Sequence, residues 1–121
     1  MKMKIGVVGN REGWSKEFVF RVLQDEELTE DDTIISGGAQ GVDSIAEEFA
    51  KLLGCKLIVH RPDMNIAYPY RFRQRNKKIA VDCDKLIAFD KRFHSGTSQT
   101  IRFAKELGKE VKVINEENKI L

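Results

Sequence analysis

Five short aliphatic runs alternate along the chain with stretches whose apolar residues fall at helical spacing. That alternation leaves few architectures open. Strands joined through a helix lie parallel, and their right-handed crossovers wrap helices over both faces of one sheet. The runs are Lys4–Gly9, Thr33–Ile35, Lys56–His60, Lys85–Phe89 and Val111–Ile114. Each is mostly apolar, as expected of strands covered on both sides. Between them, Ser15 reads as an N-cap ahead of the stripe Phe18, Val19, Val22 and Leu23. A second stripe, Val42, Ile45, Ala46, Phe49, Ala50 and Leu53, is closed by Gly54. A basic pattern from Arg71 to about Asp82 predicts a third helix, and the stretch from Gly96 to Gly108 a fourth. The expected fold is α/β, a Rossmann-like doubly wound sheet of about five parallel strands in the order 3-2-1-4-5. Helices cover both faces, and residues 1–121 form one domain.

In such a sheet, ligands bind beyond the carboxyl ends of the strands, where the strand order reverses. The loops after strands one, two and four then lie side by side. They are Gly9-Asn10-Arg11, Ser36-Gly37-Gly38-Ala39-Gln40-Gly41-Val42-Asp43, and Asp90 to Thr97. The second loop leaves a strand, turns on glycines and feeds a helix, so its backbone N–H groups and the helix dipole can receive an anion. It reads as a phosphate-binding loop. A tight connection with no ligand is the alternative. Its ending lacks the Gly-Lys-Ser/Thr of a P-loop, and no GxGxxG follows the first strand, so Mg-dependent NTP hydrolysis and NAD or FAD binding are disfavoured.

Several side chains join these loops. Arg11 is placed to bind a phosphate or carboxylate through two charge-assisted bonds, or to be a solvated loop residue. Asp43 is the candidate catalytic carboxylate or ribose-hydroxyl acceptor; alternatively it satisfies N–H groups of the first helical turn. Ser95, Gly96, Thr97 and Ser98 stand at another helix N-terminus as ligand donors or caps. In the basic helix, Phe72, Asn76, Ile79 and Cys83 fall on one inward stripe. A polar Asn76 there needs partners, and Arg75-Asn76 is expected to meet the loop after strand four. Arg71, Arg73, Lys77 and Lys78 form either a solvated face or a nucleic-acid patch, with Tyr68, Tyr70 and Phe72 as stacking rings. His60 and His94 have no catalytic partner at a telling spacing, and Trp14 is a lid or a packing anchor.

Composition narrows the function classes. Formal net charge is only +2 in 121 residues, so overall charge does not argue for nucleic acid. No apolar run approaches the roughly 20 residues of a membrane span. Met1-Lys2-Met3-Lys4 leads straight into the first strand without a signal-peptide core. Cys55 and Cys83 lack metal-type spacing and suit buried, reduced thiols, so a cytoplasmic setting and no metal are expected.

The motifs Gly9-Asn10-Arg11, Ser36 to Asp43, Arg75-Asn76, and Leu86 to Phe89 followed by Ser95-Gly96-Thr97 resemble, in order, those of the SLOG superfamily. They are most similar to its small YspA-type (YpsA-related) branch. The resemblance covers nearly the whole chain and implies a domain whose glycine loops bind nucleotides or nucleotide-derived ligands. The superfamily includes the Lonely Guy phosphoribohydrolases, which carry a glutamate shortly after the threonine of their GGxGT-like loop. Here the stretch is Ser98-Gln99-Thr100-Ile101-Arg102, without a carboxylate. It also includes DNA-processing protein A, whose related domain binds single-stranded DNA.

Three functions follow as expectations. The first is capture of a small-molecule nucleotide derivative, in a sensor or signalling protein, with closure of the segment from Asp63 to Tyr70. No other cofactor is called for. The second is cleavage of a nucleoside monophosphate N-glycosidic bond, which needs a carboxylate such as Asp43. The third is binding of single-stranded nucleic acid by the basic helix. A homodimer through surface helices is a further expectation.

Overall fold

The computed structural model describes residues 2–91 and 96–116. Its elements run β1 (Lys4–Gly9), α1 (Lys16–Gln24), β2 (Thr33–Ser36), α2 (Val42–Leu53), β3 (Lys56–Val59), α3 (Tyr70–Asp82), β4 (Lys85–Phe89), α4 (Gly96–Glu106) and β5 (Glu110–Ile114). The strands form one parallel sheet in the order β3-β2-β1-β4-β5, the order expected from the sequence. The order reverses at β1, between β2 and β4.

Alternate residues of the strands feed two cores. Ile5, Val7, Ile34, Ile87 and Phe89 pack with Phe18, Val19, Val22 and Leu23 of α1 and with Val42, Ala46, Phe49 and Ala50 of α2. Val8, Ile35, Leu86 and Ala88 pack on the other face against Ile79, Ala80 and Cys83, and against Ala104 of α4. The apolar runs lack a period because both faces are covered. The Ser15 side chain accepts from the Phe18 amide as an N-cap, and Gly54 ends α2 in the left-handed region at φ 81°.

One turn departs from expectation. Glu30-Asp31-Asp32 reads as solvated, yet Asp32 is buried and its carboxylate accepts from the Thr29 and Met3 amides at 2.9 and 2.8 Å. Those bonds tie the turn before β2 to the start of β1. They hold the Asp32 carboxyl below its ordinary range, the Thr29 amide most strongly.

Packing at the other edge builds the site. A Cβ on Gly9 would sit 2.6 Å from Cβ of Val42, so only glycine lets the end of β1 touch the first turn of α2. That contact seats the glycine loop beside the loop after β1.

Candidate functional site: a cleft at the carboxyl edge of the sheet

The glycine loop is stapled from within. Asp43 Oδ2 accepts the Gly37 and Ala39 amides, each at 3.2 Å. Ser36 Oγ accepts the Gly38 amide at 3.0 Å while donating to Glu47 Oε2 at 2.6 Å. Asp43 thus satisfies N–H groups of its own loop, rather than those of the first helical turn. Burial pushes its carboxyl up to about 6, against the downward pull of the Ala39 amide, Arg75 and the Gly37 amide. Gly38 and Gly41 take positive φ of 74° and 78°, and a Cβ on Gly41 would collide with the Arg11 carbonyl. Three amides expected to face an anion are therefore already engaged.

Arg75 and Asn76 close the loop from α3. Arg75 Nη1 donates to the Gly37 carbonyl at 2.6 Å, and its Nε donates to Asn76 Oδ1 at 2.8 Å. Buried Asn76 in turn donates from Nδ2 to the Gly96 carbonyl at 3.3 Å and to Gln99 Oε1 at 3.0 Å. The pair does meet the segment that follows β4, and it joins three motifs distant in sequence. Arg75 is half-buried, and burial lowers its pKa more than Asp43 raises it; Arg11, a neighbouring cation, lowers it further.

A third cluster links the loops after β1 and β4. Asn10 Nδ2 donates to Asp90 Oδ1 at 3.2 Å, and its Oδ1 accepts from the Lys91 amide at 2.8 Å and Trp14 Nε1 at 3.3 Å. Ser98 Oγ donates to Asp90 Oδ2 at 2.6 Å, a cross-brace between α4 and the end of β4. Asp90 is buried and holds two motifs together, a role that sequence reading missed. A lone aspartate ending a strand is its only sequence signal. Trp14 stacks on Phe18, meets Phe89 edge-on, and carries the Lys91 ammonium 4.6 Å above its ring. It is a packing anchor at the rim.

These parts border a cleft of about 1160 Å³. Its lining includes Gly9, Asn10, Arg11, Ala39, Asp43, Arg75, Asn76, Gly96 and Thr97, so one cavity gathers residues of all four motifs. Its charged residues are Arg11, Arg73, Arg75 and Lys91 against Glu12 and Asp43, a positive balance in a nearly neutral chain. Arg11 has no hydrogen bond or ion pair among the described residues. Tyr70 and Phe72 of the first turn of α3, with Tyr68 from the segment before it, give the cleft an aromatic wall. That segment is tied by the Arg71 Nε bond to the Ile66 carbonyl and by the Asn65 amide to Asp63 Oδ1.

Other candidates lie elsewhere. Ser95 and His94 fall outside the described residues. Ser36 is fully buried beneath the loop and is not in the cleft lining. His60 does find a carboxylate: its Nε2 lies 2.9 Å from Asp82 Oδ2, which Lys4 also approaches on the other carboxylate oxygen at 3.0 Å. That pair borders a separate groove of about 870 Å³ with Lys77 and Lys78, away from the glycine loop. The basic residues of α3 thus divide: Arg73 and Arg75 serve the cleft, Lys77 and Lys78 the groove.

No protein-family model matches the chain, and no curated protein matches it. Among solved structures it is similar to DNA processing protein A from Streptococcus pneumoniae, at 25% identity and a TM-score of 0.77 over 92% of this chain and 50% of that one. It is similar to DNA processing protein A from Helicobacter pylori, which has a single-stranded DNA binding mode, at 22% identity and 0.74, over 92% of this chain and 64% of that one. The chain therefore spans half to under two thirds of those proteins. A third likeness is to TM1055, a structural genomics target, at 20% identity and 0.66, covering 90% and 72%. These likenesses support the SLOG superfamily at the level of the fold. No helix among the described residues is long and apolar enough to cross a membrane.

Proposed function

We propose that this domain binds a nucleotide or nucleotide-derived ligand in the cleft, as a sensor or regulatory module of the YspA-type branch. The observation that carries the reading is the juxtaposition of Arg11, without a protein partner among the described residues, and braced Arg75 in one cleft roomy enough for a nucleotide. Exposed Arg11 lies near enough to half-buried Arg75 to depress its pKa, and two such like charges at one cleft are stabilised by an anion between them. Charge-assisted bonds contribute roughly 1.5–3 kcal/mol each, enough for micromolar capture when several act together. The reading stops at binding. The acids lining the cleft are Glu12, which is exposed, and Asp43, whose Oδ2 is committed to two loop amides.

The test is calorimetry with a panel of nucleoside mono-, di- and triphosphates, alongside melting curves. Low-micromolar binding that weakens at least tenfold in Arg11→Ala supports the proposal. A panel that neither binds nor raises the melting temperature refutes it. Assaying the same samples for free base checks turnover.

A second reading is single-stranded DNA binding, favoured by exposed Tyr68, Tyr70 and Arg73 at the cleft mouth and by the similarity to DNA processing protein A. It predicts oligonucleotide affinity that falls steeply with salt and drops in Arg73→Ala.

A further inference from the structure

We infer that the ligand lies with its phosphate inward at Arg11 and Arg75 and its base outward on Tyr68 and Tyr70, so that the cleft demands a nucleobase without reading which one. The inference rests on the phosphate-capture reading above and assigns the other end of the ligand.

Tyr68 and Tyr70 are 72% and 65% exposed, yet both line the cleft. Rings so exposed on the rim of a polar cavity offer π-surface to a planar group. Their position relative to the cations is fixed by packing. Tyr68 meets Phe72 edge-to-face with centroids 5.6 Å apart, and the Arg75 guanidinium lies 5.8 Å from the Phe72 centroid. The series Tyr68, Phe72, Arg75 therefore runs from the mouth to the floor in two short steps. One mononucleotide can reach both ends.

Polar side chains nearby already have partners. Gln99 Oε1 accepts from Asn76 and Thr100 Oγ1 donates to the Gly96 carbonyl at 3.1 Å, while the Arg73 guanidinium is drawn onto the Phe103 ring, 5.2 Å from its centroid. These commitments leave the aromatic faces as the surface offered to a base. Stacking tolerates any base because every base presents a π-face, whereas discrimination needs edge contacts. Specificity then lies in the combination of a phosphate and a planar ring at a set separation.

The experiment is calorimetry with AMP, GMP, CMP, UMP and ribose 5-phosphate. The four nucleotides are expected to bind within about fivefold of one another, and ribose 5-phosphate at least about tenfold more weakly, the range of one stacked base. In the double variant Tyr68→Ala with Tyr70→Ala, nucleotide affinity falls to that of ribose 5-phosphate, which itself is unchanged. Tyr68→Phe with Tyr70→Phe keeps the gap. Equal binding of ribose 5-phosphate and the nucleotides overturns the base shelf and leaves phosphate capture standing. A preference of a hundredfold for one base overturns the claim that base identity goes unread. Binding of none of the five overturns this inference, and the di- and triphosphate arms of the panel above then decide whether phosphate capture stands.

Discussion

Arg75 Nη1 donates to the Gly37 carbonyl at 2.6 Å, across 38 positions of sequence. The glycine loop of β2 and α2 is thus braced by a helix on the opposite face of the sheet. A Cβ on Gly37 would lie 2.7 Å from that Nη1 and 2.9 Å from Asp43 Oδ2, so the glycine makes room for both partners. One guanidinium thus contributes both to loop shape and to cleft charge.

Arg75→Lys separates these two contributions. It keeps the charge and loses the fork that reaches Gly37 and Asn76 together. We expect a loss of about 1–3 kcal/mol, seen as a melting temperature lowered by several degrees. Wild-type melting behaviour would show that the brace is dispensable.

Asp43 gives the protein an inverted acid response. Its carboxyl stands at about 6 when folded against an ordinary 3.8. Between those values the folded protein keeps a proton that the unfolded chain releases, so stability falls as pH rises through the window. The loss reaches about 3 kcal/mol by neutrality. Asp32 and Asp82 act oppositely, since their folded carboxyls are depressed and their contribution fades as pH falls. Asp43→Asn should remove only the first slope. Urea midpoints at pH 4.5 and 7.5 then show the variant gaining on wild type at the higher pH; an unchanged difference between the two proteins counts against the assignment.

Asn76→Ala strands Arg75 Nε and Gln99 Oε1 and takes one of its donors from the Gly96 carbonyl. A cost of about 2–3 kcal/mol is expected, with faster amide exchange in the first turn of α4. Asn76→Asp should be no better, because it sets a carboxylate against two acceptors. Protection equal to wild type in either variant would mean that α4 is seated by other contacts.

Gly9→Ala probes the contact that positions the cleft. The new methyl would sit 2.6 Å from Val42 Cβ, and β1 and α2 must part to admit it. Overpacking of this kind costs about 1–3 kcal/mol. Chemical denaturation should show the loss, and calorimetry a weakened ligand affinity alongside it. A variant as stable as wild type would show that the two elements can separate freely.

The sheet was legible because its signal is local. Lys4–Gly9 and Lys85–Phe89 are unbroken by polar residues after their first lysine, and their strand bounds match the sequence reading. Asn76 was legible by contradiction, as an amide on a core stripe that needed partners and has them. Other roles depend on contacts between distant segments. Asp43 at a glycine loop looks the same in sequence whether its oxygens face a ligand or the loop's own amides. His60 and Asp82 lie 22 positions apart on different elements, a spacing with no periodicity to betray it. Asp32 and Asp90 both sit in polar surroundings, and only the fold reveals that they are buried.

Trp14 is the chain's one indole, and it bridges Asn10, Lys91 and Phe89 at the rim of the cleft. Its emission is therefore a built-in optical gauge. An ammonium close to the ring and a hydrogen bond at its nitrogen make the fluorescence sensitive to any shift of the loops after β1 and β4. No label need be attached to follow occupancy in real time.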